Sequence, residues 1–322
     1  MVSAKKIAVI IGIAIFLYIL SQVDIPSVQG ILFSANIYLL LFSIAILAVL
    51  VFLKGLKWKL ILESQGKQIS ALKGTKYFCI GFFYSTFTPG RVGDFVRALY
   101  IRKIASLPLA FSSIVLDRII DISLLVLFAA AGSIYFLETT GIAVIPIELI
   151  LAIIAALAFA VFLLFREQFI RPLLRPFFNM LVPEKAKKKL SGGFAEFFAS
   201  TKLVLSNKIP FAIAILVSAL FWVGEIVFAY FLAKSIGLEI PMLFMVFLYP
   251  VVVLGDLIPV SVSGFGTREA ILITFFSVLG QSPESAVAFS LLIFATSYVL
   301  VALAGFLFSL SEPVELKMLE TE

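Results

Sequence analysis

The length of its uninterrupted apolar runs constrains this chain more than any other feature. Several stretches of about 20 residues pass almost without charge, which is the length a helix needs to cross a hydrocarbon core about 30 Å thick. Within that core no water satisfies backbone N–H and C=O groups, so only helices and closed barrels span it. Barrel strands alternate apolar and polar residues, whereas these runs are continuous. Composition agrees. Of 322 residues, 62% are hydrophobic and 14% charged, against about 45–50% and about 25% in a soluble domain. An ordinary cytoplasmic enzyme, a secreted disulfide scaffold and a disordered chain are excluded. The expected class is all-α, a polytopic membrane protein.

Residues 7–20 follow Lys5 and Lys6, and no small-residue cleavage site succeeds them. They read as a retained first helix over about 5–23. Further spans are expected over about 34–55, 107–137, 144–165, 209–235 and 285–310, about six in all. Two apolar stretches differ. Residues 77–88 are too short to cross and end at Thr88-Pro89-Gly90. Residues 242–258 end at Pro259 and Gly264, and a short apolar piece, 270–280, follows. Each reads as a broken or re-entrant helical hairpin, over 72–103 and 241–281. The order is then span, span, hairpin, span, twice, with the second set starting from the opposite side. Interrupted segments in matching places of two halves point to an inverted repeat with a site between them. The halves would be 1–137 and 144–322 of a single transmembrane domain, 1–322.

Orientation follows from lysine and arginine. Residues 54–103 hold ten and 166–208 hold nine, while 24–33 and 138–147 hold none. Basic loops stay inside, so both termini and both basic regions are expected to be cytoplasmic, in the cell membrane. Segment 166–208 carries Phe169, Leu173, Leu174, Phe177, Phe178 and Leu181 among its charges and reads as an interfacial amphipathic segment. The net charge of +6 is topological, and no nucleic-acid partner is expected.

Three constellations could carry chemistry. In residues 88–97, Pro89 and two glycines break the helix near Arg91, Asp94 and Arg97. A helix starting near Val92 would present free N–H groups there. Arginine offers forked donors that suit phosphate oxygens, and Thr88 adds a hydroxyl. Asp94 can cap that helix or pair with an arginine. In residues 259–269, proline, Ser261, Ser263 and two glycines precede Thr267, Arg268 and Glu269. Thr267 is a plausible N-cap, with Glu269 in the first turn. Irregular backbone at membrane depth belongs inside protein or along a cavity. Third, Asp117, Arg118 and Asp121 open the long span at 107–137, and Glu225 and Asp256 lie in later apolar stretches. Such charges rarely face lipid; they pair or line a path, Arg118 with Asp94 or Asp117 for instance.

Absences narrow the chemistry. The chain has no histidine, which removes Ser-His-Asp catalysis, histidine metal sites and histidine proton relays. Cys79 is the single cysteine and cannot form an internal disulfide. No phosphate-binding loop of the G-x-x-x-x-G-K-[ST] kind occurs. No catalytic residue, metal or cofactor is expected.

The three motifs in this order resemble the flippase-like, lysylphosphatidylglycerol synthase transmembrane-region family. They are Pro89-Gly90-Arg91-Val92-Gly93-Asp94-Phe95-Val96-Arg97, Asp117-Arg118-Ile119-Ile120-Asp121, and 259–269. Asp94 and Asp117 stand where glutamate is common, a shorter carboxylate. The resemblance implies a lipid-translocating membrane domain, like that of the multiple peptide resistance factor. The longest polar stretch, 166–208, leaves no room for that protein's synthase, so no enzyme activity is expected. Relatives linked to polyprenyl-phosphate sugar carriers leave the lipid open. The expected function is a flippase or scramblase for an anionic phospholipid or a polyprenyl-phosphate lipid. The alternatives are a transporter of a small soluble anion, and a scaffold for a separate lipid synthase or glycosyltransferase. Site residues on this reading are Thr88, Arg91, Asp94, Arg97, Asp117, Arg118, Asp121, Glu225, Ser261, Ser263, Thr267, Arg268 and Glu269.

Overall fold

The structure, a computed structural model, describes residues 14–141, 147–164, 166, 184–257 and 264–312. The described residues contain helices and no strand. Among the described residues, four helices are long and apolar enough to cross a membrane: α3 (Ile37–Ser64), α6 (Leu107–Thr140), α9 (Lys208–Ser235), and the continuous run Pro283–Ser311. That run comprises α12 (Pro283–Ile293), a π-helical turn (Phe294–Leu300) and α13 (Val301–Ser311). The chain is a polytopic integral membrane protein.

The expected count of about six full spans is not confirmed among the described residues, which hold only part of the expected first span. α1 (Ala14–Gln22) and α2 (Ile25–Phe33) meet at 87°, so together they supply at most a fifth. The expected outward loop 24–33 is thus helical. Asp24 accepts a hydrogen bond from the Ser27 N–H (3.1 Å), and Pro26 lies in the first turn. Asp-x-Pro is a helix-start signal that positive-inside counting passes over. α7 (Ile147–Leu164) holds 18 residues and is apolar apart from Glu148 in its first turn. The amphipathic segment is described from Glu184 as α8 (Glu184–Ser206). The earlier Phe169–Leu181 pattern, both termini, Ser261 and Ser263 lie outside the described residues.

Both expected hairpins have broken helices. α4 (Ala71–Thr86) is followed by a 3₁₀ segment (Pro89–Val96) and the short α5 (Arg97–Tyr100). The new helix is therefore 3₁₀ from Pro89, where an α-helix from Val92 was expected. α10 (Met242–Leu257) is followed by α11 (Thr267–Val278). The cap of α11 is Gly266, not Thr267, which is the first helical residue.

Packing is reciprocal. α3 and α9 lie antiparallel along their length: the Asn36 N–H donates to Ser235 O (2.6 Å) at one end, and Asn207 Nδ2 donates to Glu63 O (3.3 Å) at the other. α4 packs on α13, and α10 packs on α6. Each of these two contacts is built on a glycine. Gly305 of α13 lies against the Cys79 backbone of α4, and Gly132 of α6 lies against the Phe247 backbone of α10. Small residues let helix backbones approach where lipid supplies no hydrophobic drive.

Candidate functional site

The first break is held by its own hydroxyl. Thr88 Oγ1 accepts from the Gly93 N–H (2.8 Å) and lies near the Tyr84 and Ser85 carbonyls (3.3 and 3.2 Å). Thr88 therefore fastens the turn and does not reach the cavity described below. The turn also carries Arg91 at φ 56°, the one non-glycine residue with positive φ among those described. L-residues other than Asn and Asp rarely adopt that region. Local strain of this kind collects at functional sites. Here it turns the guanidinium inward, over the rings of Phe82 and Tyr298 (5.6 and 5.2 Å), where Nη2 donates to the Tyr298 hydroxyl (2.6 Å).

Behind Arg91 lies a buried ion cluster. Asp117 contacts Lys57 Nζ (2.6 Å) and Arg97 Nη2 (2.6 Å). Asp121 contacts Lys54 and Lys57 (both 2.7 Å) and accepts from Ser218 (3.0 Å) and Trp222 Nε1 (3.1 Å). Asp94 pairs with Arg118, and with Arg97 at 3.2 Å. Arg97 is fully buried beneath Trp58, 4.8 Å from its ring. Lys54 and Lys57 correct the sequence reading. They looked like cytoplasmic markers closing a span at 55, yet α3 runs to Ser64 and buries both. A signal was present: Lys54 and Lys57 (i, i+3) share one helix face, as do their counter-ions Asp117 and Asp121 (i, i+4).

The second break uses Gly264 and Gly266, at φ 80° and 85°. Glu269 accepts the Gly266 N–H (2.6 Å) and pairs with Ser290. Arg268 is fully buried, donating to Ser290 Oγ (2.8 Å) and lying 3.4 Å from Asp256 Oδ2. Thr267 bonds back to Gly264 O (3.1 Å). The Tyr298 hydroxyl donates to Asp256 Oδ2 (2.6 Å). A continuous chain therefore runs Arg91–Tyr298–Asp256–Arg268, joining the two breaks.

One cavity lies along that chain, with about 100 Å³ of free space, room for several waters or a phosphate-sized group. Its cationic wall is Lys54, Arg91 and Arg118; its acidic wall is Asp121, Glu225 and Asp256. Phe82, Trp222, Tyr249, Ser297 and Tyr298 also line it, and the rest of the lining is apolar. Glu225 accepts from the Tyr249 hydroxyl (2.8 Å). Of the expected site residues, Arg91, Arg118, Asp121 and Glu225 line the cavity. Asp94, Arg97, Asp117, Arg268 and Glu269 stand behind its walls, their side chains engaged with one another and with the residues named above. Tyr249, Asp256, Ser297 and Tyr298 were not in the expected set. The tyrosines carry no sequence signal, because an aromatic in an apolar run reads as core.

Residues 6–305 match the family model described as the lysylphosphatidylglycerol synthase TM region. The chain belongs to that family. A UPF0104 membrane protein of Pyrococcus horikoshii is 24% identical over 319 residues, 94% of this chain and 95% of its own length. One from Methanocaldococcus jannaschii is 22% identical over 318 residues, 95% and 94% of the two chains. One from Methanothermobacter thermautotrophicus is 21% identical over 314 residues, 93% of each. Their names state a membrane protein and no activity. In this member of the lysylphosphatidylglycerol synthase TM-region family, no group of three or more Cys, Asp or Glu side chains among the described residues is arranged to hold a metal.

Proposed function

We propose that this chain moves lipids with phosphate-bearing headgroups, an anionic phospholipid or a polyprenyl phosphate, between the leaflets of the cell membrane. The observation that carries the reading is the cavity itself: Arg91 of the first break and Asp256 beside the second share it, linked through Tyr298. A bare phosphate in hydrocarbon is prohibitively expensive. Lys54, Arg91 and Arg118 replace its water while the acyl chains stay in lipid through a lateral opening. No bond is made or broken. An anionic lipid moving outward gains about 2.3 kcal/mol per charge per 100 mV, inside negative.

The two halves form an inverted repeat on this reading. Ile37 and Lys208, the first residues of α3 and α9, are 171 positions apart, as are Lys54 and Glu225, and Arg97 and Arg268. An antiparallel α3–α9 pair with reciprocal α4–α13 and α10–α6 contacts is what a two-fold axis in the membrane plane requires. Both termini and segment 166–208 face the cytoplasm. A cysteine at position 202, in a Cys79→Ser background, should then label only from the inside; external labelling reverses the orientation.

The functional test is reconstitution in vesicles carrying a trace of headgroup-fluorescent phosphatidylglycerol. External dithionite should bleach dye beyond the outer-leaflet fraction left by protein-free vesicles. Uptake of soluble phosphate without lipid movement would instead favour the soluble-anion transporter. Neither activity would leave the scaffold.

A further inference from the structure

Twelve lysine, arginine, aspartate and glutamate side chains are buried or line the cavity among the described residues, and their charges cancel. Six are cations: Lys54, Lys57, Arg91, Arg97, Arg118 and Arg268. Six are carboxylates: Asp94, Asp117, Asp121, Glu225, Asp256 and Glu269. A phosphate entering this set makes it anionic by one. An unpaired charge in such surroundings is strongly unfavourable. The least disruptive remedy is a proton on a carboxylate.

We infer that the cavity binds one proton together with each anionic headgroup, and that Asp256 carries it. The inference rests on the headgroup reading above. Asp256 is coupled to the headgroup directly. Arg91 donates to Tyr298, which donates to Asp256 Oδ2, so a phosphate that claims Arg91 takes away the cation nearest this carboxylate on the cavity side. The remaining cation, Arg268 of α11, is 3.4 Å away and is shared with Glu269 at 4.0 Å. Among the described residues Asp256 Oδ1 is buried and has no hydrogen-bond partner. Asp94 Oδ1 shares that condition, but Asp94 does not line the cavity and its carboxylate is paired with Arg97 and Arg118. Asp256 Oδ1 is the atom beside the cavity that is free to take the proton. The competing carboxylates are placed differently. Asp121 on α6 is held by Lys54, Lys57, Ser218 and Trp222. Glu225 on α9 bonds Tyr249 of Asp256's own helix, and no hydrogen bond among the described residues ties it to Arg91 as Tyr298 ties Asp256. Arg118 on α6 lines the cavity and pairs with Asp94, and it forms no ion pair with Asp256 among the described residues. The proton comes from bulk water and bonds to Oδ1, leaving Tyr298 on Oδ2.

The test uses the full chain in detergent and dioctanoyl phosphatidylglycerol. Its phosphodiester keeps one fixed charge, so any proton taken up belongs to the protein. Titration calorimetry in two buffers of different ionisation heat should give uptake of about one proton per lipid, with affinity falling about tenfold per pH unit as pH rises between the free and lipid-bound pKa values of Asp256. Asp256→Asn should bind without proton uptake and without that slope. Infrared difference spectra of the unaltered protein should show a protonated carboxyl band appearing on lipid addition, which needs no variant to fold. Lipid binding with no proton uptake and no such band overturns the inference and leaves the headgroup reading intact. Uptake that persists in Asp256→Asn and vanishes in Glu225→Gln overturns the assignment to Asp256. No lipid binding by the unaltered protein overturns the headgroup reading itself.

Discussion

Arg97 and Arg268 stand 171 positions apart, each just after a glycine-containing break, and both are fully buried. Each is tied to the span that follows its hairpin, Arg97 to Asp117 of α6 and Arg268 to Ser290 of α12. Their surroundings differ in sign. Around Arg97 the first half gathers five cations, counting Arg91, against Asp94, Asp117 and Asp121. The second half sets Arg268 alone against Glu225, Asp256 and Glu269. Lys54 and Glu225, also 171 apart, show the inversion at a single position. Neither half is neutral by itself. Each supplies the other's counter-charge, and the cavity is where the opposite walls meet. On the repeat proposed above, the two halves share the buried arginine and differ in the charges around it.

The largest effect should separate the two clusters by stability. Asp117→Ala leaves Lys57 and Arg97 buried with too few partners, which should cost about 3–5 kcal/mol, read as a lowered denaturation midpoint in detergent. A loss below about 1 kcal/mol, the range of exposed pairs, would mean that the first cluster is not the fixed one.

The next effect separates the arginines by activity. Arg91→Ala removes charge-assisted hydrogen bonds worth about 1.5–3 kcal/mol, so lipid movement should fall roughly 10- to 100-fold with stability nearly unchanged. Arg91→Lys should restore it only in part, for want of the planar fork. Arg268→Ala should do the reverse and lose the fold, because Asp256 and Glu269 share that one cation. Full transport by Arg91→Ala reduces Arg91 to a structural residue.

What the sequence made legible follows from the same contrast. Helical class, both breaks, and the charged residues of α6 and α9 could be read directly, because breakers and charges stand out against apolar runs. Arg118 was expected beside Asp94 or Asp117, and it pairs with Asp94. Lys54 and Lys57 were misread because a lysine near the end of an apolar run has the same local pattern whether it meets water or a carboxylate on another helix. Arg91 and Arg268 looked equivalent because each follows proline and glycine. Only the tertiary structure separates the guanidinium that lines the cavity from the one consumed by buried partners. Tyr298 was invisible: its aim depends on the π-helical turn Phe294–Leu300, which no hydrophobic period announces.

A third effect tests the reciprocity of the halves. Gly132→Leu and Gly305→Leu each force a side chain into a helix contact built on backbone approach. Overpacking of this kind costs about 1–3 kcal/mol. Equal losses of thermal stability are expected if α6–α10 and α13–α4 are equivalent contacts. Damage from only one of them breaks the equivalence and weakens the repeat.

The smallest effect is the most discriminating about Tyr298. The Tyr298→Phe change removes the hydroxyl that accepts from Arg91 and donates to Asp256. It keeps the ring, stacked on Phe294 at 5.8 Å and lying 5.2 Å from the Arg91 guanidinium. Each hydrogen bond contributes about 0.5–1.5 kcal/mol net, and the bonds lie on a cavity that water or ligand can enter, so the stability loss should stay near the lower end of that range. Lipid movement should change more than stability does, because Arg91 and Asp256 would no longer sense each other. Removing a single hydroxyl at the edge of the first cluster gives the control. Ser218→Ala leaves Asp121 its two lysines and Trp222 and should shift stability by a similar small amount with transport unaffected. If Tyr298→Phe instead destabilises the protein as Asp117→Ala does, the link between the breaks is a structural tie and not a coupling between Arg91 and Asp256 in transport.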